Sequence, residues 1–282
     1  MRIFVTGATG FIGSHFINAA VSAGHEVVAL RSKSSICRIE VSKAVEWIDG
    51  ELGQCKAHFF DGCDVLVHLA AAGVLPGQAK WEDCYKVNVV DSLALWLIAK
   101  SAGVKRFVIA GSCFEYGKAG EFYSEIPVQS PLLPTGPYHA SKASATMAAI
   151  AFSIQNGLEL AVLRPFHVYG EGEAPERFWP ALKSAALAGV DFPMTKGDQI
   201  RDFTPVAHVV KVFLAAAVNW DLIKGEPVIE NIGTGDAQTL LQFAEHWWAF
   251  WGAQGKLIVG ALQHRAGETM RFVPEICVKC RI

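Results

Sequence analysis

The chain has 282 residues, of which 51% are hydrophobic, enough for one large α/β domain or a domain with a smaller appendage. Its formal net charge of −2 and the lack of any long basic run exclude nucleic acid and an anionic membrane as expected partners, so a small-molecule ligand is favoured. Seven scattered cysteines predict reduced thiols, and a start without a signal segment or an apolar run of ~18 residues predicts a cytoplasmic protein without a membrane span.

The first feature along the chain is a glycine-rich turn between a strand and a helix. Residues 3–6 are β-rich, residues 14–23 favour helix, and Gly7, Gly10 and Gly13 lie between them. In such a turn the first glycine permits the tight bend, the second lets a pyrophosphate approach, and the third lets the helix pack on the strand. The spacing is GxxGxxG rather than GxGxxG. It predicts dinucleotide binding by Gly7, Thr9, Gly10, Phe11, Ile12 and Gly13.

The end of the second predicted strand, residues 26–30, bears on which dinucleotide binds. An acidic residue there would hold the ribose hydroxyls of NAD, whereas this chain has Arg31 followed by Lys33. Arg31, helped by Lys33, could pair with a 2′-phosphate, which predicts NADPH as the preferred cofactor and leaves NAD as the alternative. Arg31 could instead lie exposed over the adenine.

Strands are further predicted at residues 45–48, 64–69, 106–110 and 160–163, alternating with helices near 87–102 and 140–154. This alternation predicts an α/β fold: a Rossmann-type doubly wound parallel sheet with a smaller C-terminal substrate-binding lobe. We expect residues 1–166, with 203–232 returning to them, to form the dinucleotide-binding domain, and 167–202 with 233–282 to form the lobe. Strand-end residues add cofactor contacts, namely Glu51 and Leu52 after the third strand and Leu69, Ala70 and Ala71 after the fourth.

Tyr138 and Lys142 are spaced to lie on one face of the helix that follows a proline-rich loop. A phenol titrates near ~10, so acid–base work near neutral pH needs a lower pKa. The Lys142 cation, together with a positively charged cofactor ring, could lower it. The alternative is a Tyr and a Lys on a solvated helix face.

The glycine turn, Ser112, Tyr138-xxx-Lys142 and Arg164-Pro165 together resemble the extended short-chain dehydrogenase/reductase family, specifically its nucleotide-sugar epimerases, dehydratases and ketoreductases. The resemblance implies a nucleotide-diphosphate sugar substrate, a homodimer formed through the helices near 87–102 and 140–154, and roles for further residues. Ser112 matches the catalytic hydroxyl, beside Tyr138 and Lys142. Asn88 and Pro165 match cofactor-side positions, and the residues placed at the substrate are Ser112, Cys113, Phe114, His167, Arg201 and Arg265.

Departures from the family pattern bear on the reaction. The dehydratases usually have an Asp-Glu pair where this chain has Cys113 and Phe114, so dehydration is disfavoured. His167 replaces a common Asn, and His208 a common Asp. Glu115 resembles the ketoreductases rather than the epimerases, and with Arg31 it favours NADPH-dependent reduction of a nucleotide-linked 4-keto-6-deoxyhexose. The alternatives are an NAD-dependent epimerase using the same residues and a non-catalytic cofactor-binding protein.

Cys277 and Cys280 form a lone CxxC pair near the end of the chain. No second pair or histidine cluster accompanies them in the sequence, so the spacing predicts neither a metal site nor a redox role.

Overall fold

The computed structural model describes residues 1–75, 77, 79–265, 267–277 and 280. It contains fourteen described strands and seven described α-helices. The strands are β1 (Arg2–Thr6), β2 (Glu26–Arg31), β3 (Glu46–Asp49), β4 (Val65–His68), β5 (Arg106–Ala110), β6 (Glu159–Pro165), β7 (Val168–Tyr169), β8 (Phe192–Met194), β9 (Ile200–Asp202), β10 (Thr204–Pro205), β11 (Val228–Ile232), β12 (Ala237–Thr239), β13 (Leu257–Val259) and β14 (Arg271–Phe272). The helices are α1 (Phe11–Ser22), α2 (Trp81–Tyr85), α3 (Ser92–Ser101), α4 (Pro137–Asn156), α5 (Phe178–Ala188), α6 (Val206–Val218) and α7 (Leu240–Phe250).

Seven strands form one parallel sheet in the order β11-β6-β5-β4-β1-β2-β3. The order reverses between β1 and β4, and at such a switch point open α/β sheets bind nucleotides beyond the strand carboxyl ends. The predicted Rossmann-type fold is therefore confirmed. The first six strands follow the prediction closely, whereas β11 lengthens the sheet beyond β6.

Helices cover both faces of this sheet because its strands alternate between two cores. Ile3 and Val5 point to the face covered by α1 and α6, whereas Phe4 points to the face covered by α3 and α4. Both sets are buried, which explains the nearly continuous apolar strand sequences. The helix predicted at 87–102 begins later as α3, since residues 86–91 form a π-helical stretch.

Smaller sheets lie in the C-terminal part of the chain. β12, β9 and β14 form one of them, while β8 pairs with β13 and β7 with β10. An aromatic-rich cluster between α5 and α7 supports them, with Leu182 and Met194 in its buried centre. These elements provide the lobe, although the domain boundaries at 166, 203 and 233 stay a prediction.

Within the described part of the chain, no helix combines the length and the apolar character needed to cross a membrane.

Candidate active site

The glycine turn has the close backbone contacts that a dinucleotide-binding loop needs. Gly7 has a φ of +69°, and a Cβ there would lie 2.5 Å from the backbone nitrogen of Ala70. A Cβ on Gly13 would lie 2.0 Å from the carbonyl oxygen of Gly7, so only glycine lets α1 pack this closely. Gly10 precedes α1, whose N-terminal N–H groups face the carboxyl ends of the neighbouring strands. The turn therefore fits a pyrophosphate.

Leu69, Ala70 and Ala71 follow β4 directly beside this turn. Asn88 shapes their loop, because its side chain accepts a hydrogen bond from the Ala72 N–H (2.7 Å) and donates to the Ala72 carbonyl (3.1 Å). Its Nδ2 also donates to the Ser141 hydroxyl at 2.9 Å. Asn88 thus ties the loop to α4 one residue before Lys142.

Ser112, Tyr138 and Lys142 meet at the carboxyl edge of β5. Pro137 opens α4, which places Tyr138 in its first turn, where the Ser112 side chain interacts with the phenol and lowers its pKa. Lys142, one turn later, is only 4% exposed, and its Nζ donates to the Ala110 carbonyl at 2.6 Å. The sequence predicted that these three residues lie together, and the structure places them at the same strand end.

The expected lowering of the Tyr138 pKa by Lys142 is not found in the chain alone. Burial raises the pKa of Tyr138 to about 12, and the hydrogen bond from Ser112 opposes this only in part. Burial also lowers the pKa of Lys142, opposed by the charge of Glu115. Desolvation outweighs the interaction with Ser112 and the charge of Arg177, so Tyr138 is protonated at neutral pH in the chain alone.

Glu115 is buried and has a structural role that the sequence argument did not include. Its fully buried carboxylate accepts hydrogen bonds from the Ser112 N–H (2.8 Å), Thr146 Oγ1 (3.0 Å) and Arg164 Nε (2.9 Å). Arg164 also donates to the Tyr116 hydroxyl at 2.9 Å. Glu115 therefore holds the backbone of Ser112. The S-x-x-E spacing of 112–115 is a capping box, a sequence signal that could have predicted this role.

The two residues after Ser112 offer no carboxylate for eliminating water. Cys113 is 2% exposed, and burial raises the pKa of its thiol to about 12. Phe114 stacks on His139 with ring centroids 5.0 Å apart. Both side chains are therefore uncharged at neutral pH, and neither can replace the Asp-Glu pair that the dehydratases usually have.

Arg31 has partners that the sequence did not indicate. Its Nε donates to Asp49 Oδ1 at 2.8 Å, and its guanidinium lies 4.9 Å from the ring centroid of Trp47. Asp49 is the register partner of Arg31 across β2 and β3. An acidic group therefore does stand at this strand end, on the neighbouring strand. Lys33 and Glu51 nearby are exposed, while Leu52 is half-buried.

The predicted substrate residues differ in their placement. Arg201 is mostly buried, and its guanidinium donates to the Ile200 carbonyl (2.9 Å) and the Thr269 carbonyl (2.6 Å). Arg265 is exposed, and its backbone N–H donates to Glu268 Oε2 at 3.3 Å. Arg201 thus braces the strands of the lobe, and Arg265 lies on its surface.

His167 is the most unusual of these residues. Its φ is +29°, and its buried Nδ1 has no hydrogen-bond partner among the described residues. Burial lowers the pKa of His167 to about 3, with the charges of Arg201 and Arg177 adding to the effect. A strained backbone and a buried, unsatisfied nitrogen are typical of a ligand-binding position.

The sequence around Arg177 gives no signal that predicts a position near this site. It precedes α5, and its Nη2 donates to the Val74 carbonyl at 2.7 Å, so it joins the loop after β4 to the lobe.

Comparison with known proteins decides the family. Residues 3–233 match the NAD dependent epimerase/dehydratase family. The chain belongs to that family. It is 27% identical over 244 residues to UDP-glucose 4-epimerase of Azospirillum brasilense, covering 77% of this chain and 68% of that protein. It is 29% identical over 268 residues to dTDP-D-glucose 4,6-dehydratase of Mus musculus, covering 86% and 71%. The structure of MoeE5 in complex with UDP-glucose and NAD is 28% identical, has a TM-score of 0.83, and covers 99% of this chain and 91% of MoeE5.

Membership of the NAD dependent epimerase/dehydratase family makes this chain a nucleotide-sugar enzyme of the extended short-chain dehydrogenase/reductase type. The first two of these relatives are named as an epimerase and a dehydratase, and none of the three names is that of a 4-ketoreductase. The glycine turn, with its two positions closed to any Cβ, fits the dinucleotide of this family.

Proposed function

We propose that this chain is an NAD-dependent nucleotide-sugar epimerase. The observation that carries the proposal is the convergence of Ser112, Tyr138 and Lys142 at the carboxyl edge of β5, in a parallel sheet whose strand order suits a dinucleotide. The apolar Cys113 and Phe114 argue against dehydration, and the pairing of Arg31 with Asp49 argues against a site open to a 2′-phosphate.

The residues have separate roles in this reaction. Tyr138 takes the proton from a sugar hydroxyl as that carbon is oxidised to a ketone, and it returns the proton when the ketone is reduced on its other face. The Ser112 hydroxyl donates to the same sugar oxygen, and Glu115 keeps the Ser112 backbone in place. Bound NAD supplies the hydride acceptor and donor together with a positive ring charge. That charge favours the Tyr138 phenolate, which burial alone disfavours.

The substrate side of the proposal rests on His167 and the arginines. The unpartnered Nδ1 of His167 can accept or donate one hydrogen bond to the nucleotide sugar, depending on its tautomer. The positive charge of Arg201 acts on His167, and a positive charge there suits a diphosphate. Arg265 would need to turn inward from the surface to bind the same group.

A second candidate is an NADPH-dependent 4-ketoreductase acting on a nucleotide-linked 4-keto-6-deoxyhexose. Two observations favour it: Arg31 ends β2, and Tyr138 with a pKa of about 12 is already in the acid form that reduction requires. A reductase exchanges its cofactor at each turnover, whereas an epimerase retains it.

Incubation of the purified protein with UDP-glucose, without added cofactor, tests the two candidates. If the chain is an epimerase, the C4 isomer should form, and chromatography of the nucleotide sugars would detect it. A parallel assay with dTDP-glucose covers the other nucleotide. Consumption of NADPH with a 4-keto sugar, and no isomer exchange with either hexose, would replace the epimerase by the reductase.

A further inference from the structure

Three side chains that bind metals well converge at the edge of the large sheet. Glu230 lies on β11, and Cys277 and Cys280 follow the last strand, with Val278 and Lys279 outside the described residues. The two sulfur atoms are 3.5 Å apart. The donor atoms of all three residues lie within 4.8 Å of one another. We call these three residues the C-terminal thiol site.

The spacing of the donor atoms matches a tetrahedral zinc ion. Zinc–sulfur bonds are ~2.3 Å long, which places two thiolates of a tetrahedron about 3.8 Å apart. The observed 3.5 Å requires only a small adjustment. Two thiolates and a carboxylate also suit zinc better than magnesium or calcium, which prefer oxygen ligands alone. The CxxC spacing lacks a second pair in sequence, and folding supplies Glu230 as the third ligand.

The three residues lie where a bound ion would be partly shielded from water. Cys280 is fully buried, while Cys277 and Glu230 are half-buried. A divalent ion binds the thiolate form of cysteine, so its binding would release the thiol protons to solvent.

The surrounding contacts hold the backbone ready for a ligand. His208 Nε2 lies 2.9 Å from the carbonyl oxygen of Cys280, which gives a structural role to this departure from the family pattern. Ile276, between the strand and the thiols, packs into the main core. Asn231, next to Glu230, donates to the Ile126 carbonyl at 2.9 Å and accepts from the Tyr116 hydroxyl at 2.7 Å. The segment is thus anchored on both sides of the site.

We propose that Glu230, Cys277 and Cys280 bind one zinc ion that fastens the C-terminal segment to β11. Water completes the coordination on the side where Cys277 is partly exposed. The site is separate from Ser112, Tyr138 and Lys142, so the inference does not depend on the proposed function.

Cobalt titration of the full chain tests the zinc site. The protein is treated with a chelator under reducing conditions and titrated with Co²⁺, with sulfur-to-cobalt charge-transfer absorption as the signal, and zinc is then added in competition. We expect one equivalent of Co²⁺ with a thiolate band that zinc abolishes. Cys277→Ser should weaken the band and lower affinity at least tenfold. Glu230→Gln should lower affinity while keeping the sulfur band.

Cys37→Ser is the matched control, since Cys37 is a partly exposed thiol elsewhere on the chain, and it should leave the titration unchanged. A wild-type titration identical to that of Cys277→Ser would overturn the proposal. So would a Cys277–Cys280 disulfide that persists under the reducing conditions of the titration, seen as a mass two hydrogens below that of the fully reduced chain and located by peptide mapping, because those sulfurs would then be a redox pair.

Discussion

Tyr138 and Lys142 share a helix turn but have different partners: Tyr138 is hydrogen-bonded by Ser112, and Lys142 donates to Ala110. In the proposed reaction we expect Lys142 to contact the cofactor and Tyr138 to contact the substrate. The chemistry of the phenol should then be separable from binding of the dinucleotide.

Replacing Tyr138 by Phe should lower turnover by about 10²–10⁴-fold, the usual contribution of a positioned acid–base group. Dinucleotide affinity should change little, because the substitution removes one hydroxyl and leaves Lys142 in place. Tyr85→Phe is the matched control, since it removes a hydroxyl that contacts Ser144 on the same helix at 3.3 Å. Near-normal turnover of the Tyr138→Phe variant would remove Tyr138 from the mechanism.

His68 makes the fold sensitive to acid. It is 3% exposed, bonded to Thr6 Oγ1 (2.7 Å) and Ser92 Oγ (2.9 Å), and burial lowers its pKa to about 3. The unfolded chain binds a proton near pH ~6.5 and the folded chain does not. The free energy of unfolding should therefore fall by about 1.4 kcal/mol per pH unit for this group as the pH drops from ~6.5 towards ~3.

Urea unfolding of wild type and His68→Asn at pH values from about 7.5 to about 5 measures this effect. This range lies on both sides of the ordinary imidazole pKa of ~6.5. The slope of the unfolding free energy against pH should be smaller in the variant, by the equivalent of about one bound proton. Equal slopes would show that His68 is not the titrating group.

At the scale of elements, we expect the paired ends of β2 and β3 to govern the choice of cofactor. Asp49 on β3 neutralises Arg31 on β2, and the pair is about two-fifths exposed, so it is held only weakly. Removing the carboxylate leaves the Arg31 guanidinium available to a 2′-phosphate.

Asp49→Asn should shift the ratio of NADPH to NADH affinity towards NADPH by about tenfold, or ~1.4 kcal/mol. Arg31→Asp should shift the ratio in the opposite direction. Titration of each protein with both reduced cofactors measures the ratios. Unchanged ratios in both variants would place the 2′-position of the ribose away from Arg31.

The elements that the sequence predicted are those encoded locally. The glycine turn and the first six strands are visible because backbone geometry and apolar patterning require particular residues in sequence. The partners of Arg31 and Glu115 were not predictable in this way. Asp49 lies 18 residues from Arg31, and Arg164 lies 49 residues from Glu115, so only strand register and packing bring them together. The side chain of Glu115 in particular turns into the core, a placement that the family resemblance did not indicate.

For the whole molecule, an apolar surface on two helices predicts a homodimer. Leu93 and Leu97 lie on one face of α3, 37% and 52% exposed, and Val90 precedes them at 62%. Met147 and Ile154 on α4 are 58% and 55% exposed and are also spaced on one face. Apolar side chains grouped on neighbouring helices are typical of an interface.

Light scattering should give a mass about twice the 30.5 kDa of the chain. The double variant Leu97→Glu, Met147→Glu should give a monomer. Val190→Glu, which changes a residue 52% exposed in the lobe, should remain a dimer. A monomeric wild type would contradict the expected interface.

The nucleotide content of freshly purified protein tests the proposed NAD-dependent epimerase most directly. The protein is denatured, and the released dinucleotide is identified and counted against the chain by chromatography. The proposal predicts close to one NAD per chain, retained through purification, with no binding of added NADPH. An empty site that binds NADPH in preference to NADH would contradict it and would make the chain a reductase of 4-keto nucleotide sugars.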